Sequence, residues 1–452
     1  MFSKQNHVKI FEQVYYKEGV VQLETKKKST LYPEYKIFLA ISLLFVAAAF
    51  ILDKPADIFN GLGAIFSSRG LLRTDYMVVG GVGAALISSA LVSFYAVGVL
   101  YIMGAKPTGA ALMTLWMSAG WTCWGANVLS IMPLTLGVWL YSCVKKKPFS
   151  DFMVAALLCN AIAPIVSVFY VSNPIMLHVG ANWPLIVNIA FGVVVGLVVG
   201  FFLPAILSGV TRMHDGYTLY NMGVAGGMIA LLVTAGFKVA GIEIATEAMW
   251  YADKQLEIAI FLYVVFAALI AAGLLTGREK KTNHIKNIKG IIAQSGHAPN
   301  DFYSQYGATT YINMGLLGAI GTTVTLLLGS QLNGATFACI FSMVAFGSCG
   351  KHITNVLPVM LGAIGCALIN TQPVAAPANI LPILFCTCLA PIAGEFGWFW
   401  GMVTGFLHVL TVAHVGGLTN GFDLYTNGFA SGFVALILVP VILAFRKEKK
   451  AK

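Results

Sequence analysis

Gly216-Tyr217-Thr218-Leu219-Tyr220-Asn221-Met222-Gly223-Val224-Ala225-Gly226-Gly227 recurs 205 residues later as Gly421-Phe422-Asp423-Leu424-Tyr425-Thr426-Asn427-Gly428-Phe429-Ala430-Ser431-Gly432. The same offset pairs Phe191-Gly192 with Phe396-Gly397, Gly196 with Gly401, and Gly200-Phe201 with Gly405-Phe406. Upstream, an offset of 225 pairs Gly109-Ala110 with Gly334-Ala335, Gly125 with Gly350, Pro133 with Pro358, and Leu136-Gly137 with Leu361-Gly362. A fainter match joins Gly70 and Asp75 to Gly296 and Asp301. Blocks that keep their order at near-constant spacing are the signature of an internal repeat.

What lies between the blocks sets the solvent. Of 452 residues only 10% are Asp, Glu, Lys or Arg, while 58% are hydrophobic and the mean hydropathy is +0.81. An ordinary soluble domain is roughly a quarter charged, and the uncharged tracts here are long enough to cross a bilayer. The composition specifies an all-α integral membrane protein. It excludes a nucleic-acid-binding domain despite the formal net charge of +10. It also excludes a disulfide scaffold, because all eight cysteines lie in apolar tracts, where a free thiol behaves as a small hydrophobe. Ten transmembrane helices are read, at 37–52, 76–103, 152–172, 185–207, 224–241, 258–275, 309–329, 381–394, 396–415 and 429–445. Two further apolar tracts, 110–144 and 335–369, are each broken by glycine near the middle. Each is too short to cross twice as two full helices, so each is read as a re-entrant, broken-helix hairpin.

Charge placement orients the chain. Twenty of the 28 basic residues fall in four tracts: 1–36, 145–147, 278–289 and 446–452. Lys and Arg collect on the cytoplasmic side of short loops, which puts both termini in the cytoplasm and predicts a multi-pass protein of the cytoplasmic (inner) membrane. The acidic stretch 242–257 is placed outside. The first apolar tract follows 36 polar residues and has no small-residue cleavage site behind it, so it reads as a span and not a signal peptide. The organisation is then a cytoplasmic segment 1–36 and a first helix with its external connection 37–59. Repeat one covers 60–241, and 242–287 holds the external loop, the linking helix 258–275 and a basic loop. Repeat two covers 288–445, before the basic tail 446–452. Residues 53–75, with Asp57, Arg69, Arg73 and Asp75, read equally as a loop or a surface helix. Four spans and one hairpin per repeat, with a single span between them, make the copies face opposite ways. Two inverted-topology repeats with broken elements are the architecture of many secondary transporters, with substrate held near the midplane.

Polar groups in such a frame are candidates for function. The hairpin tips read Gly120-Trp121-Thr122-Cys123-Trp124-Gly125-Ala126-Asn127 and Gly347-Ser348-Cys349-Gly350-Lys351-His352-Ile353-Thr354-Asn355. A helix beginning after such a turn exposes unpaired N–H groups, and with Lys351 beside them it forms a ready anion site. Substrate binding is therefore assigned to Lys351, His352, Asn355 and Asn127, set against the structural alternative that Lys351 snorkels to an interface. A second cluster holds Arg212, His214, Asp215, Tyr217, Tyr220 and Asn221, with counterparts Asn420, Asp423, Tyr425 and Asn427. Tyr220, Asn221, Tyr425 and Asn427 join the binding set. His214, Asp215, Asp423, Glu395 and His408 form a candidate coupling or proton pathway, since charges inside spans are costly and mark ion routes. The alternatives are capped turns for the 215 and 420 regions, with Asp215 and Asn420 as N-caps, an exposed turn for Glu395 and a carbonyl-bonded histidine for His408. His408 and His414 are six apart, no HExxH or paired CxxC occurs, and there is no Walker loop, so neither a metal site, a cofactor nor ATP use is expected.

The doubled G-[YF]-x-L-Y-x-x-G-x-A-x-G motif, together with Gly350-Lys351-His352 and Asn355, resembles a prokaryotic multi-spanning membrane family catalogued as a domain of unknown function. The resemblance covers nearly the whole chain beyond the first span and carries over no functional residue. More loosely, the architecture is similar to urea-channel and aquaporin-type folds, a likeness that does not fix function. The expectation is a secondary transporter or solute channel, not an enzyme. It would move a small polar solute, foremost a small organic anion or zwitterion, with proton coupling. A passive channel for urea or ammonia is the alternative, and a membrane-embedded enzyme or partner subunit comes third. The partners expected are the lipid bilayer and the solute, with homo-oligomer formation compatible with the composition.

Overall fold

A computed structural model describes residues 31–446 apart from Ser172 and Asn182. Residues 1–30 and 447–452, which carry most of the first basic tract and of the tail, lie outside the described residues. The described chain is helical throughout. The first half contains α1 (Pro33–Leu52), α2 (Pro55–Phe66), α3 (Tyr76–Met103), α4 (Gly109–Trp121), α5 (Val128–Lys145), α6 (Met153–Leu158), α7 (Pro164–Val171), α8 (Pro174–His178), α9 (Leu185–Met213) and α10 (Asn221–Val239). The second contains α11 (Gln255–Glu279), α12 (His284–Ile292), α13 (Phe302–Tyr306), α14 (Thr309–Leu327), α15 (Gly334–Phe346), α16 (Ile353–Leu368), α17 (Pro377–Phe385), α18 (Ala390–Phe396), α19 (Trp398–Val415) and α20 (Thr426–Phe445).

Ten of the helical stretches are long and apolar enough to cross a membrane, and the protein is a multi-pass membrane protein. The ten are not all the expected ones. Val128–Lys145, assigned from sequence to the returning leg of a hairpin, is 18 residues long and qualifies as a span by itself. The expected span 152–172 is instead a bent pair, 149–162 and 164–171, kinked by 47° where Pro164 interrupts the helix. A second broken stretch is Pro377–Phe396. Both change to a single 3-10 turn in the middle, at Cys159–Ile162 and Cys386–Leu389. Residues 55–66 form a helix, packed on the start of α3 where Gly61 and Gly80 let the backbones touch.

The halves interlock through corresponding residues. Helices α4 and α15 are 13 residues each, about 20 Å at 1.5 Å per residue, short of the ~30 Å hydrocarbon core. They lie against one another with Trp116 and its counterpart Phe341 5.8 Å apart. Their starts are capped from the opposite half. Asp75 Oδ1 accepts from Gly334 N at 3.2 Å, and Asp301 Oδ1 accepts from Gly109 N at 2.8 Å. Asp75 also caps α3 through Met77 N at 2.9 Å and accepts from Tyr251 N at 3.1 Å. Asp301 caps α13 through Ser304 N at 2.8 Å. Buried backbone donors must find partners, and these two carboxylates supply them across the seam. Further in, α10 crosses α20 at Gly223 and Gly428, where a Cβ on Gly223 would lie 2.6 Å from the Tyr425 carbonyl oxygen and 2.7 Å from Gly428 Cα. Only glycine fits a crossing that close.

Helices α1 and α11, placed by the sequence reading outside the repeats, each run directly into one of the two halves. They run antiparallel, with Phe45 and Phe261 5.0 Å apart. Lys254, at the start of α11, donates to Leu52 O at 2.6 Å and pairs with Asp53 at 2.5 Å at the end of α1.

Candidate functional site

Where the α4–α5 and α15–α16 turns, the two broken stretches and the starts of α10 and α20 converge, a polar and aromatic cluster is buried. The turn between α15 and α16 is held by Asn313, whose Nδ2 donates to Gly347 O and Lys351 O, both at 2.8 Å. Lys351 itself does not snorkel. Its side chain is fully buried. Its Nζ donates to Tyr220 Oη at 2.7 Å and Thr387 Oγ1 at 2.8 Å, with Ser342 O at 3.5 Å. It also lies 4.5 Å from the Tyr220 ring centroid and 5.3 Å from that of Phe346, a cation–π setting. No carboxylate pairs with it among the described residues.

The other half builds the same scaffold with different chemistry. Tyr425 takes the place of Tyr220, Asn160 that of Thr387, Trp121 that of Phe346, and Ala126 that of Lys351. Tyr425 donates to Asn160 Oδ1 at 2.7 Å, and its ring lies 4.0 Å from that of Trp121. Phe385 joins the two sides, 5.4 Å from Trp121 and 6.2 Å from Tyr220. The free carbonyls of the 3-10 turns are used across the seam, with Leu219 N donating to Cys388 O at 2.9 Å and Leu424 N to Ala161 O at 2.8 Å. Opened, the Lys351 side of this cluster can bind an anion by charge and hydroxyl donors, while the Tyr425 side offers amide and aromatic surface.

A family model described as a protein of unknown function, DUF1576, matches residues 54–239 and 280–444. The chain belongs to that family. The two matched stretches of DUF1576 coincide with the two interlocked halves and leave out the antiparallel helices α1 and α11. No curated protein and no solved structure matches the chain.

Within this DUF1576 member the residues singled out from sequence separate into groups. Lys351, Tyr220 and Tyr425 meet in the central cluster. His352, Asn355 and Asn127 are engaged in holding the tips. His352 lies between Gln294 O, 2.8 Å from Nε2, and Thr354 Oγ1, 2.9 Å from Nδ1. Asn355 accepts from His352 N at 3.0 Å and donates to Gly350 O at 2.9 Å. Asn127 caps α5 through Leu129 N and Ser130 N at 3.1 and 3.2 Å. Asn427 and His408 bond to each other at 3.2 Å, fully inside. Glu395 reaches the surface beside Arg446, 3.7 Å away, exposed but in the last turn of α18 and not in a turn between spans. Asp215 is exposed, and neither it nor Asn420 caps a helix. Both occupy left-handed turns at φ 51° and 45°, a conformation that Asp and Asn tolerate. His214 is buried in the turn after α9, and desolvation pushes its imidazole down to about 4. Asn221 opens α10 with its Oδ1 unpartnered. Asp423 is buried with Oδ1 accepting from Tyr425 N at 2.9 Å.

The sequence reading missed Thr387, Asn160 and Phe385. A signal was present: Cys159-Asn160-Ala161-Ile162-Ala163-Pro164 parallels Cys386-Thr387-Cys388-Leu389-Ala390-Pro391 at an offset of 227.

Proposed function

We propose that the protein is a secondary transporter for a small organic anion or zwitterion, built as two inverted repeats in the cytoplasmic membrane and coupled to protons. The observation that carries this reading is Lys351, a fully buried amine partnered by two hydroxyls and two aromatic faces and, among the described residues, by no carboxylate. An ionisable group at such depth is costly unless function retains it, and a bound anion supplies the missing countercharge. The antiparallel run of α1 and α11, and the capping of each hairpin by the other half, support copies that face opposite ways. Broken stretches beside the cluster support a site at the repeat interface. On the charge pattern, 242–257 faces outside and the basic loops face the cytoplasm.

The test is a thermal-shift screen of the purified protein against small carboxylates, phosphate, amino acids and amides, followed by uptake into proteoliposomes. A ligand that binds the folded state raises the midpoint as RT ln(1 + [L]/Kd). The reading requires an anion-dependent shift that Lys351→Ala abolishes. An unchanged shift in that variant, or uptake of urea or ammonia indifferent to any gradient, would overturn it in favour of a passive channel.

A further inference from the structure

We propose that Asp423 is the group that carries the coupling proton, an assignment that rests on the transport reading above. The two halves correspond position by position around it. Thr218 and Asp423 occupy equivalent places before the paired tyrosines, and each accepts from the tyrosine backbone N–H, Tyr220 N at 3.4 Å and Tyr425 N at 2.9 Å. In the first case the side chain is completed by a partner across the seam, Thr218 Oγ1 lying 2.8 Å from Ser431 Oγ. The equivalent of Ser431 is Gly226, whose Cβ position would lie 3.1 Å from Asp423 Oδ1. Opposite Asp423 the first half therefore has a glycine, where opposite Thr218 the second half has the Ser431 hydroxyl. Asp423 is fully buried, and its Oδ2 has no partner. Close by, Asn160 Nδ2 is buried and unpartnered as well.

Among the described residues no basic side chain pairs with Asp423. Tyr425 on its own segment is its titratable neighbour, with Cys159 of the facing 3-10 turn beside Tyr425; α10 presents Gly226, and α19 presents His408 to Asn427. Of the five candidate coupling groups, Asp215 and Glu395 are exposed and His214 and His408 are imidazoles, so Asp423 is the one buried carboxyl group. A proton binding to Oδ2 converts the carboxylate to a neutral acid with no other bond made or broken.

The experiment is infrared difference spectroscopy of the reconstituted full-length protein across a pH titration. It compares wild type with Asp423→Asn and with the double variant Gly226→Ser/Asp423→Thr, which copies the Thr218–Ser431 pair of the other half and so preserves packing. The expected result is a protonated-carboxyl band that grows on acidification and is lost in both variants. A band unchanged in both variants overturns the assignment, as does a band that sodium chloride removes and choline chloride leaves, which marks a sodium site. Proton-driven uptake that persists in both variants overturns the assignment and leaves transport standing. A titrating Asp423 in a protein that moves no solute supports the proton site and overturns the transport reading alone.

Discussion

Lys351 is where single-residue energetics and function pull in opposite directions. Replacing a buried ion by an apolar side chain of similar volume is often neutral or stabilising, by about 1–4 kcal/mol where whole ion pairs are exchanged. Lys351→Met is therefore expected to raise the ligand-free unfolding midpoint while abolishing anion-induced stabilisation, and a lowered midpoint would show that Tyr220 and Thr387 already compensate the charge. His214 gives a pH prediction of definite sign. Its ring is held neutral when folded, down to about 4, against 6.5 unperturbed. The unfolded chain binds the proton first, so stability present above about 6.5 is lost as pH falls toward about 4. Melting curves of His214→Gln should lose part of that acid sensitivity, and an identical slope in the variant would contradict it. The lysine and the paired tyrosines were legible as polar groups in apolar sequence. The open valence of Asp423 was not, because it depends on a glycine at 226, on a helix of the other half.

At the scale of elements, the reciprocal caps carry the fold. Asp75→Ala would leave the amides of Met77, Gly334 and Tyr251 without their acceptor, and each unsatisfied buried donor costs about 1–3 kcal/mol. A loss of at least ~2 kcal/mol in denaturant unfolding is expected, with Asp301→Ala the milder because that residue is less buried. The glycine crossing predicts a contrast. Gly223→Val should prevent a stable fold by driving α10 off α20. Gly236→Ala should be tolerated, since nothing lies within 4 Å of its Cβ position. Comparing expression and melting of the two variants checks it. Spans were readable because long apolar runs need no partner to be recognised. The kink at Pro164 and the status of Val128–Lys145 were hidden, because composition alone does not say where an apolar run bends or how deep it sits.

For the whole molecule, duplication was visible as sequence offsets, but interlocking was not, since only space brings residue 75 to residue 334. The proposed inverted arrangement of the halves makes a labelling prediction. With Cys143, which is exposed, replaced by Ser, a cysteine at exposed Glu247 should react with an impermeant thiol reagent on intact cells. One at exposed Lys280 should react only after permeabilisation. Reaction of both from the same side would exclude an odd number of crossings between them and with it the inverted arrangement.

The reciprocal caps also set a timetable for synthesis. The amide of Gly109 waits for a carboxylate 192 residues further along the chain, and Asp75 waits for an amide 259 residues away. At ~5–20 residues per second of elongation, the first of these intervals is roughly 10–40 s. Throughout it, α4 is already made, too short to span and capped only locally by Thr108, with the Gly109 amide still without its carboxylate. Packing within the first half can form during that interval, whereas the seam between the halves closes only once the second hairpin emerges.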